Sequence, residues 1–536
     1  MLLMWFVLGP ILAGVIGYKL NPAIRKPLVI LVQLTMAVLV LYSFFHIDVN
    51  GAMREVLGSD NAILGIGLRA DRIAVVMVGL AVFLFTAAFI YTFPDKAFDE
   101  KFTMLFLILQ GLICGIFLSD DLFNIYVLIE VSSVIIAILI LFKRDGRTIY
   151  DGLIYLLTQI VCMAFYLFGI GYLYKIFGVL SMEAIQAAIP LVEASQLVLP
   201  FALIFTAISL KCAFFPLFSW LPRYHAPYSA PFAVSAILSG LYVKTGIYLF
   251  LRFTAMFSPA IQMSDFFTVV AIITAVSGFL LAIAQKDMKL VLAYSTVSQM
   301  GLIAIGLNFP HEAAWWGSVF HILNHALFKT LLFLTCGHIA DVYGTRDIRQ
   351  IRGVLKRMPA VGIATLLGIL GITGAPFFNG SISKYFIQYG AKGTVLEYIV
   401  ILINTGTIIV FVKYASMLWG NGGKKVKPDG CKTAVALLLG ALCLGFGIFS
   451  PQIMRLFFGV DVAVSLPLYL EKIGIYLVTV VLAVLFYKLI LSKSTKIYGI
   501  TKKALTFPQI VLALLVFFIV LLLVTVGTVS PLLTTP

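Results

Sequence analysis

The sequence predicts an all-α, polytopic membrane bundle of about 14–16 transmembrane helices, and two observations predict it. Of 536 residues, 62% are apolar and 11% are charged, against roughly 45–50% and 25% in a soluble domain. Apolar runs of the roughly 20 residues needed to cross a hydrocarbon core about 30 Å thick recur from one end of the chain to the other.

Sixteen such runs lie near 2–18, 28–46, 73–93, 103–119, 121–142, 151–174, 201–220, 231–252, 265–285, 290–308, 313–341, 359–389, 395–419, 433–449, 469–490 and 507–529. The first lacks a basic leader and a small-residue cleavage site, so it reads as a retained helix. The longest connections, 47–70, 175–198 and 342–357, read as ordinary inter-helix segments or short surface helices, and one integral domain is expected. Cys114, Cys162, Cys212, Cys336, Cys431 and Cys443 are scattered without C-x-x-C spacing. They suggest small core residues, with neither a disulfide framework nor a metal or iron–sulfur site.

A net charge of +15 raises nucleic acid as a partner, but the placement of the basic residues points to membrane orientation instead. With both termini outside, 25 Lys and Arg fall on inward loops and helix ends, 8 outside and 5 within spans. The inward set includes the cluster Arg346, Arg349, Arg352, Lys356, Arg357; the outward set includes Lys392 and Lys472. Gaining or losing one middle helix would invert every later loop and spoil the asymmetry.

Two runs are interrupted. The seventh contains Lys211-Cys-Ala-Phe-Phe-Pro216-Leu-Phe-Ser-Trp-Leu-Pro222, and the twelfth contains Gly371-Ile-Thr-Gly374-Ala-Pro376-Phe-Phe-Asn-Gly380. Gly and Pro there should break the helical ladder, and non-helical backbone at membrane depth is tolerated only where protein or a watery cavity satisfies it. Since the breaks are five helices apart, helices four to eight and nine to thirteen are expected to form two inverted five-helix repeats, each with a broken helix. The expected division is 1–95, 100–256 for the first repeat, 262–420 for the second and 430–536.

Among 23 acidic residues, Glu130 alone sits near the middle of a span. A charged group there costs about 2.5–3.5 kcal/mol on insertion scales, so it needs a partner, a water cavity or a function. Lys211, Lys244, Lys329 and Lys384 also lie at depth, whereas Lys413, near the inward end of its helix, is expected to snorkel. Desolvation weakens a lysine's hold on its proton and a nearby carboxylate restores it, so such a set is able to pass a proton when pairing changes.

His321, His325 and Lys329 stand four apart in His321-Ile-Leu-Asn324-His325-Ala-Leu-Phe-Lys329. On a helix they make one stripe with about 6 Å of rise between members, a gap suited to bridging water, and imidazole exchanges protons near neutral pH. His225 and His338 read as interface groups near the inward face. A metal reading lacks H-E-x-x-H or an acidic pair, haem lacks facing axial histidines, and no nucleotide loop is present. No cofactor is indicated.

These motifs are familiar together. The stretch Phe123 to Glu130, the segment Lys211 to Pro222 followed by Ala230-Pro-Phe-Ala-Val-Ser235 and Lys244, the H-x-x-x-H-A-L-F-K run, and Pro376 to Gly380 with Lys384 resemble one family. It is the proton-translocating antiporter-like subunits shared by respiratory complex I, Mrp-type sodium/proton antiporters and membrane-bound hydrogenases. The resemblance covers roughly residues 100 to 420. It implies that Glu130 and Lys211 form the carboxylate–lysine pair of a first half-channel and that Lys244 links the halves. His321, His325 and Lys329 would then form the central axis, and Lys384 the terminal exchange group.

The resemblance further implies other membrane subunits as partners, protons with sodium as a further candidate cargo, and a prokaryotic plasma membrane as location. Two departures bear on the inward entry route. Phe218 stands where relatives often carry a polar residue, and Trp220-Leu-Pro-Arg223-Tyr224-His225 replaces a small residue followed by His. The alternatives are a stand-alone secondary transporter and a structural subunit whose buried charges lock helices together.

Overall fold

A computed structural model describes residues 1–58, 65–95, 99–143, 145–224, 230–426, 429–494, 497–499 and 505–533. Every expected run is helical. In chain order these are α1 (Trp5–Tyr18), α2 (Pro22–Asn50), a hairpin of β1 (Met53–Leu57) and β2 (Ile66–Ala70), α3 (Arg72–Thr92), α4 (Glu100–Leu118), α5 (Leu122–Ile140), α6 (Gly146–Phe177) and the short α7 (Met182–Ala188). Next come α8 (Ala194–Lys211), α9 (Trp220–Tyr224), α10 (Phe232–Ile237), α11 (Val243–Phe257), α12 (Ser264–Ala284), α13 (Met288–Asn308) and α14 (Glu312–Tyr343). The chain ends with α15 (Val354–Arg357), α16 (Pro359–Thr373), α17 (Asn379–Gly390), α18 (Val395–Ala415), α19 (Gly430–Ile448), α20 (Ser450–Phe458), α21 (Leu466–Phe486) and α22 (Phe507–Leu533).

Fourteen of these helical stretches are long and apolar enough to span a membrane. Aspartates mark where several begin. Asp71, Asp99, Asp121, Asp145, Asp287 and Asp429 each cap a first turn by accepting an amide hydrogen bond, which satisfies orphan donors and suits the positive end of the helix dipole. These six aspartates thus serve helix ends, whereas Glu130 lies within α5.

The hairpin departs from the expected plain connection over 47–70. Met53 to Leu57 pairs antiparallel with Ile66 to Ala70. The carboxylate of Glu55 accepts the Leu3 amide at 2.9 Å, and the Asp120 amide donates to the Gly67 carbonyl at 3.0 Å. Strands of five residues each are too short for their alternation to stand out in the sequence.

Helix α14 is the axis of the bundle. Its most apolar 18-residue window is wholly buried, against 6% for α21 at the periphery. It packs on α10, α13, α16, α17 and α19. The last two spans pack on different partners, α21 against α18 and α22 against α6 and α8. Between them, among the described residues after Leu491, Ile497–Gly499 forms one helical turn.

Both expected breaks are present, and both close in the same way. After α8 the Phe214 amide donates to the Ser209 carbonyl, and after α16 the Ala375 amide donates to the Leu370 carbonyl, each at 3.0 Å and five residues back. This is the Schellman closure, with a left-handed residue between: Ala213 at φ 56° in the first, Gly374 at φ 78° in the second. Alanine holds a conformation there that normally favours glycine.

Candidate functional site

Lys211 is the last residue of α8 and is 4% exposed. Its ammonium donates to Ser133 Oγ at 3.2 Å and to the side-chain carbonyl of Gln159. It lies 5.8 Å from the centre of the Tyr242 ring. The Tyr242 hydroxyl sits 3.2 Å from Ser132 Oγ and 3.3 Å from Ser133 Oγ.

Glu130, one turn before those serines, makes no direct contact with Lys211. It is half-buried on the outward face of α5, among Val127, Val131 and Val134, each 40–41% exposed. The two groups are close enough for their charges to interact, but the structure gives the lysine neutral partners.

Lys244 lies just past a feature that sequence reasoning missed. Between α10 and α11, Leu238–Tyr242 winds as a single π turn, a bulge that leaves carbonyls out of the α-helical ladder. The Lys244 ammonium, fully buried, donates to one of them, Ser239. The Ser239 hydroxyl in turn meets Thr296 Oγ1 at 2.5 Å. The charge of Lys244 reaches both Lys329 and His325.

The α14 stripe is wholly buried. His321 Nδ1 lies 2.8 Å from Ser383 Oγ and Nε2 lies 3.0 Å from Gln299 Oε1, so both ring nitrogens are engaged whichever carries hydrogen. Neither nitrogen of His325 bonds to a protein group. The two ring centres are 6.3 Å apart, too far for direct exchange and suited to a bridging water. Lys329 donates to the Leu292 carbonyl at 2.8 Å and to the Ser295 hydroxyl.

Lys384, on α17, donates to the Ile372 carbonyl at 2.7 Å, across the break at the end of α16. Since Ser383 holds His321, the twelfth-run break and the α14 stripe are joined within one residue of Lys384. The structure therefore buries Lys211, Lys244, His321, His325, Lys329 and Lys384 in the bundle interior, and all but His325 bond to hydroxyls, amides or carbonyls there. Glu130 stands at the rim of this set.

Lys413 does not snorkel. It is 2% exposed, and it donates to the carbonyls of Ala282 and Ile283 at 2.8 Å and of Gln285 at 2.6 Å. A cation here satisfies the free end of α12 and complements its dipole. Replacing it with alanine removes a donor from three acceptors, of which Ala282 keeps the Gln285 amide, so Lys413→Ala should destabilise the protein by roughly 1.5–3 kcal/mol. A lower melting temperature, with transport per assembled protein unchanged, is the expected readout.

His338 is buried on α14 at 6% exposure, and His225 lies outside the described residues. Five of the six cysteines are buried and Cys431 is exposed. Lys472, counted among the outward helix ends, donates instead to the Ser381 carbonyl. Gln159 and Gln299 carried a usable signal, an amide inside an apolar run, whereas Tyr242 and Ser383 carried none.

This interior defines a class: a polytopic membrane protein that holds a set of ionisable side chains buried within its helical bundle. Residues 119–410 match the family described as NADH:quinone oxidoreductase/Mrp antiporter, transmembrane, and the chain belongs to that family. It is 29% identical over 412 residues to NADH-quinone oxidoreductase subunit N of Desulforudis audaxviator, covering 72% of this chain and 81% of the relative. It is 28% identical over 391 residues to the D subunit of a Na(+)/H(+) antiporter of Alkalihalophilus pseudofirmus, covering 70% and 78%. A chain of the membrane-bound sulfane sulfur reductase, an archaeal respiratory membrane complex, shares the fold with TM-score 0.80 at 22% identity, over 90% of this chain and 99% of that one.

Proposed function

We propose that this chain translocates protons as one membrane subunit of a multisubunit respiratory or Mrp-type complex, with sodium as a candidate counter-ion. The observation that carries the reading is the set of six buried ionisable residues from Lys211 to Lys384, five of them bonded to hydroxyls, amides or carbonyls, inside an apolar bundle. Burying four lysines without carboxylate contact is costly. A structure that keeps them has a use for groups that gain and lose protons.

In this reading Glu130 and Lys211 are the entrance of a first half-channel, Lys244 is the link, His321, His325 and Lys329 are the axis, and Lys384 is the terminal exchange group. Helices α4 to α11 and α12 to α18 form the two inverted repeats, a division supported by the matching closures at the two breaks. The half-buried carboxylate of Glu130 on an outward face favours a neighbouring subunit there, because lipid offers a carboxylate no partner. We place the protein in a prokaryotic plasma membrane with both termini outside, in keeping with the distribution of basic residues.

The test is proton pumping by inverted vesicles carrying the parent complex with Glu130→Gln, normalised to assembled complex. The relay predicts normal assembly and pumping reduced about tenfold or more. Normal pumping would leave the buried charges as helix locks, and loss of assembly with normal activity per complex would favour the structural subunit.

A further inference from the structure

Lys472 lies on α21, beyond the matched residues 119–410. Its ammonium donates to the carbonyl of Ser381, in the first turn of α17, and lies 5.9 Å from the centre of the Tyr385 ring. Two small cavities meet at this side chain. One, of about 30 Å³, is lined by Lys384, Gln388, Asn404, Lys472 and Tyr476 among others. The other, also about 30 Å³, is lined by Gln388, Lys392, Glu397, Glu471 and Lys472 among others.

A cavity needs roughly 10–15 Å³ to admit a water, so each has room for one or two. Lys384 and Gln388 are one helical turn apart on the same face of α17, and Gln388 and Lys472 line both cavities. The second cavity opens at charged, exposed residues: Lys392 and Glu471 pair at 4.0 Å, with side chains 49% and 61% exposed. Glu397 joins them, its carboxylate accepting the Gly393 amide at 2.8 Å.

We infer that Lys472 is a further proton-carrying residue, standing between Lys384 and the surface cluster Lys392, Glu471 and Glu397, and that protons pass Lys384 to the outer surface through it. The inference rests on the relay proposed above and extends it past the family core. Transfer needs no covalent step. A neutral Lys472 accepts a proton from Lys384 through the first cavity and releases it through the second to the Glu471 carboxylate or to water. The Ser381 carbonyl and the Tyr385 ring hold the ammonium form between transfers.

The test compares Lys472→Ala, Lys472→Arg and Lys384→Ala in inverted vesicles carrying the parent complex, with proton pumping read per assembled complex. Arginine keeps the cation and its hydrogen bond to Ser381 but does not release its proton. Lys472→Arg should therefore assemble normally and pump at least fivefold more slowly, and Lys472→Ala should pump as slowly. Parental pumping by Lys472→Arg overturns the inference and leaves a structural cation, whether or not Lys472→Ala assembles. If Lys384→Ala pumps normally the relay itself fails, whereas loss in Lys384→Ala with normal pumping in both Lys472 variants sinks this extension alone.

Discussion

A complex carrying Lys244→Ala should assemble and yet move protons about a hundredfold more slowly than its parent, or not at all. Lys244 is fully buried. On one side it follows the π turn that contains Tyr242, which touches the Lys211 site. On the other its charge reaches His325 and Lys329. In the proposed relay alanine removes the ionisable side chain at that junction, and a positioned acid–base group is worth about 10²–10⁴ in rate.

The fold should tolerate the loss, because burying a lysine against a single carbonyl is itself costly and its removal relieves that cost. Lys244→Arg is the sharper variant. It retains the charge but holds its proton, so a relay predicts loss of pumping in both variants, while a charge that merely locks helices predicts recovery in the arginine form. The measurement is fluorescence quenching of a pH-sensitive dye in inverted vesicles, scaled to complex content.

The second large effect is steric. Gly246 lies where α11 crosses the break after α8, and a Cβ there would stand 2.6 Å from the Lys211 carbonyl carbon, 2.7 Å from its oxygen and 2.8 Å from the Cys212 nitrogen. These are backbone atoms with no rotamer to yield. Overpacking of this kind typically costs about 1–3 kcal/mol, and small residues at such crossings let membrane helices approach closely. Gly246→Val should therefore sharply reduce the amount of chain that survives in the membrane. Gly246→Ala should reduce it less and should slow pumping in what remains, because the displaced atoms carry Lys211. Gly171, on α6, has nothing within 4 Å of its Cβ position, so Gly171→Ala should match the parent in both readouts.

Much of the architecture was legible because it depends on local properties of the chain. A span requires a run of apolar side chains, and each expected run became a helix, with broken helices where Gly and Pro stand at Lys211 to Pro222 and Gly371 to Gly380. The ionisable residues were equally visible, since a charge inside an apolar run is conspicuous wherever the chain goes. The hairpin at Met53–Leu57 was not, because its strands are short and are held by the N-terminus and by Asp120, far apart in sequence.

By itself the sequence determined where the apolar helices and their breaks lie and the identities of Glu130, Lys211, Lys244, His321, His325, Lys329 and Lys384 as the groups that need explanation, though sixteen apolar runs became fourteen span-length helical stretches among the described residues. Only the tertiary structure decided what each one touches. It gave Lys211 the neutral oxygens of Ser133 and Gln159 instead of a carboxylate contact, freed a carbonyl for Lys244 by a π turn, and turned Lys413 onto the end of α12. It also drew Lys472 from an apparent outward helix end onto α17. The physical reason is that hydrophobic transfer acts residue by residue, whereas the pairing of buried polar groups depends on helix packing that brings distant segments to within about 3 Å.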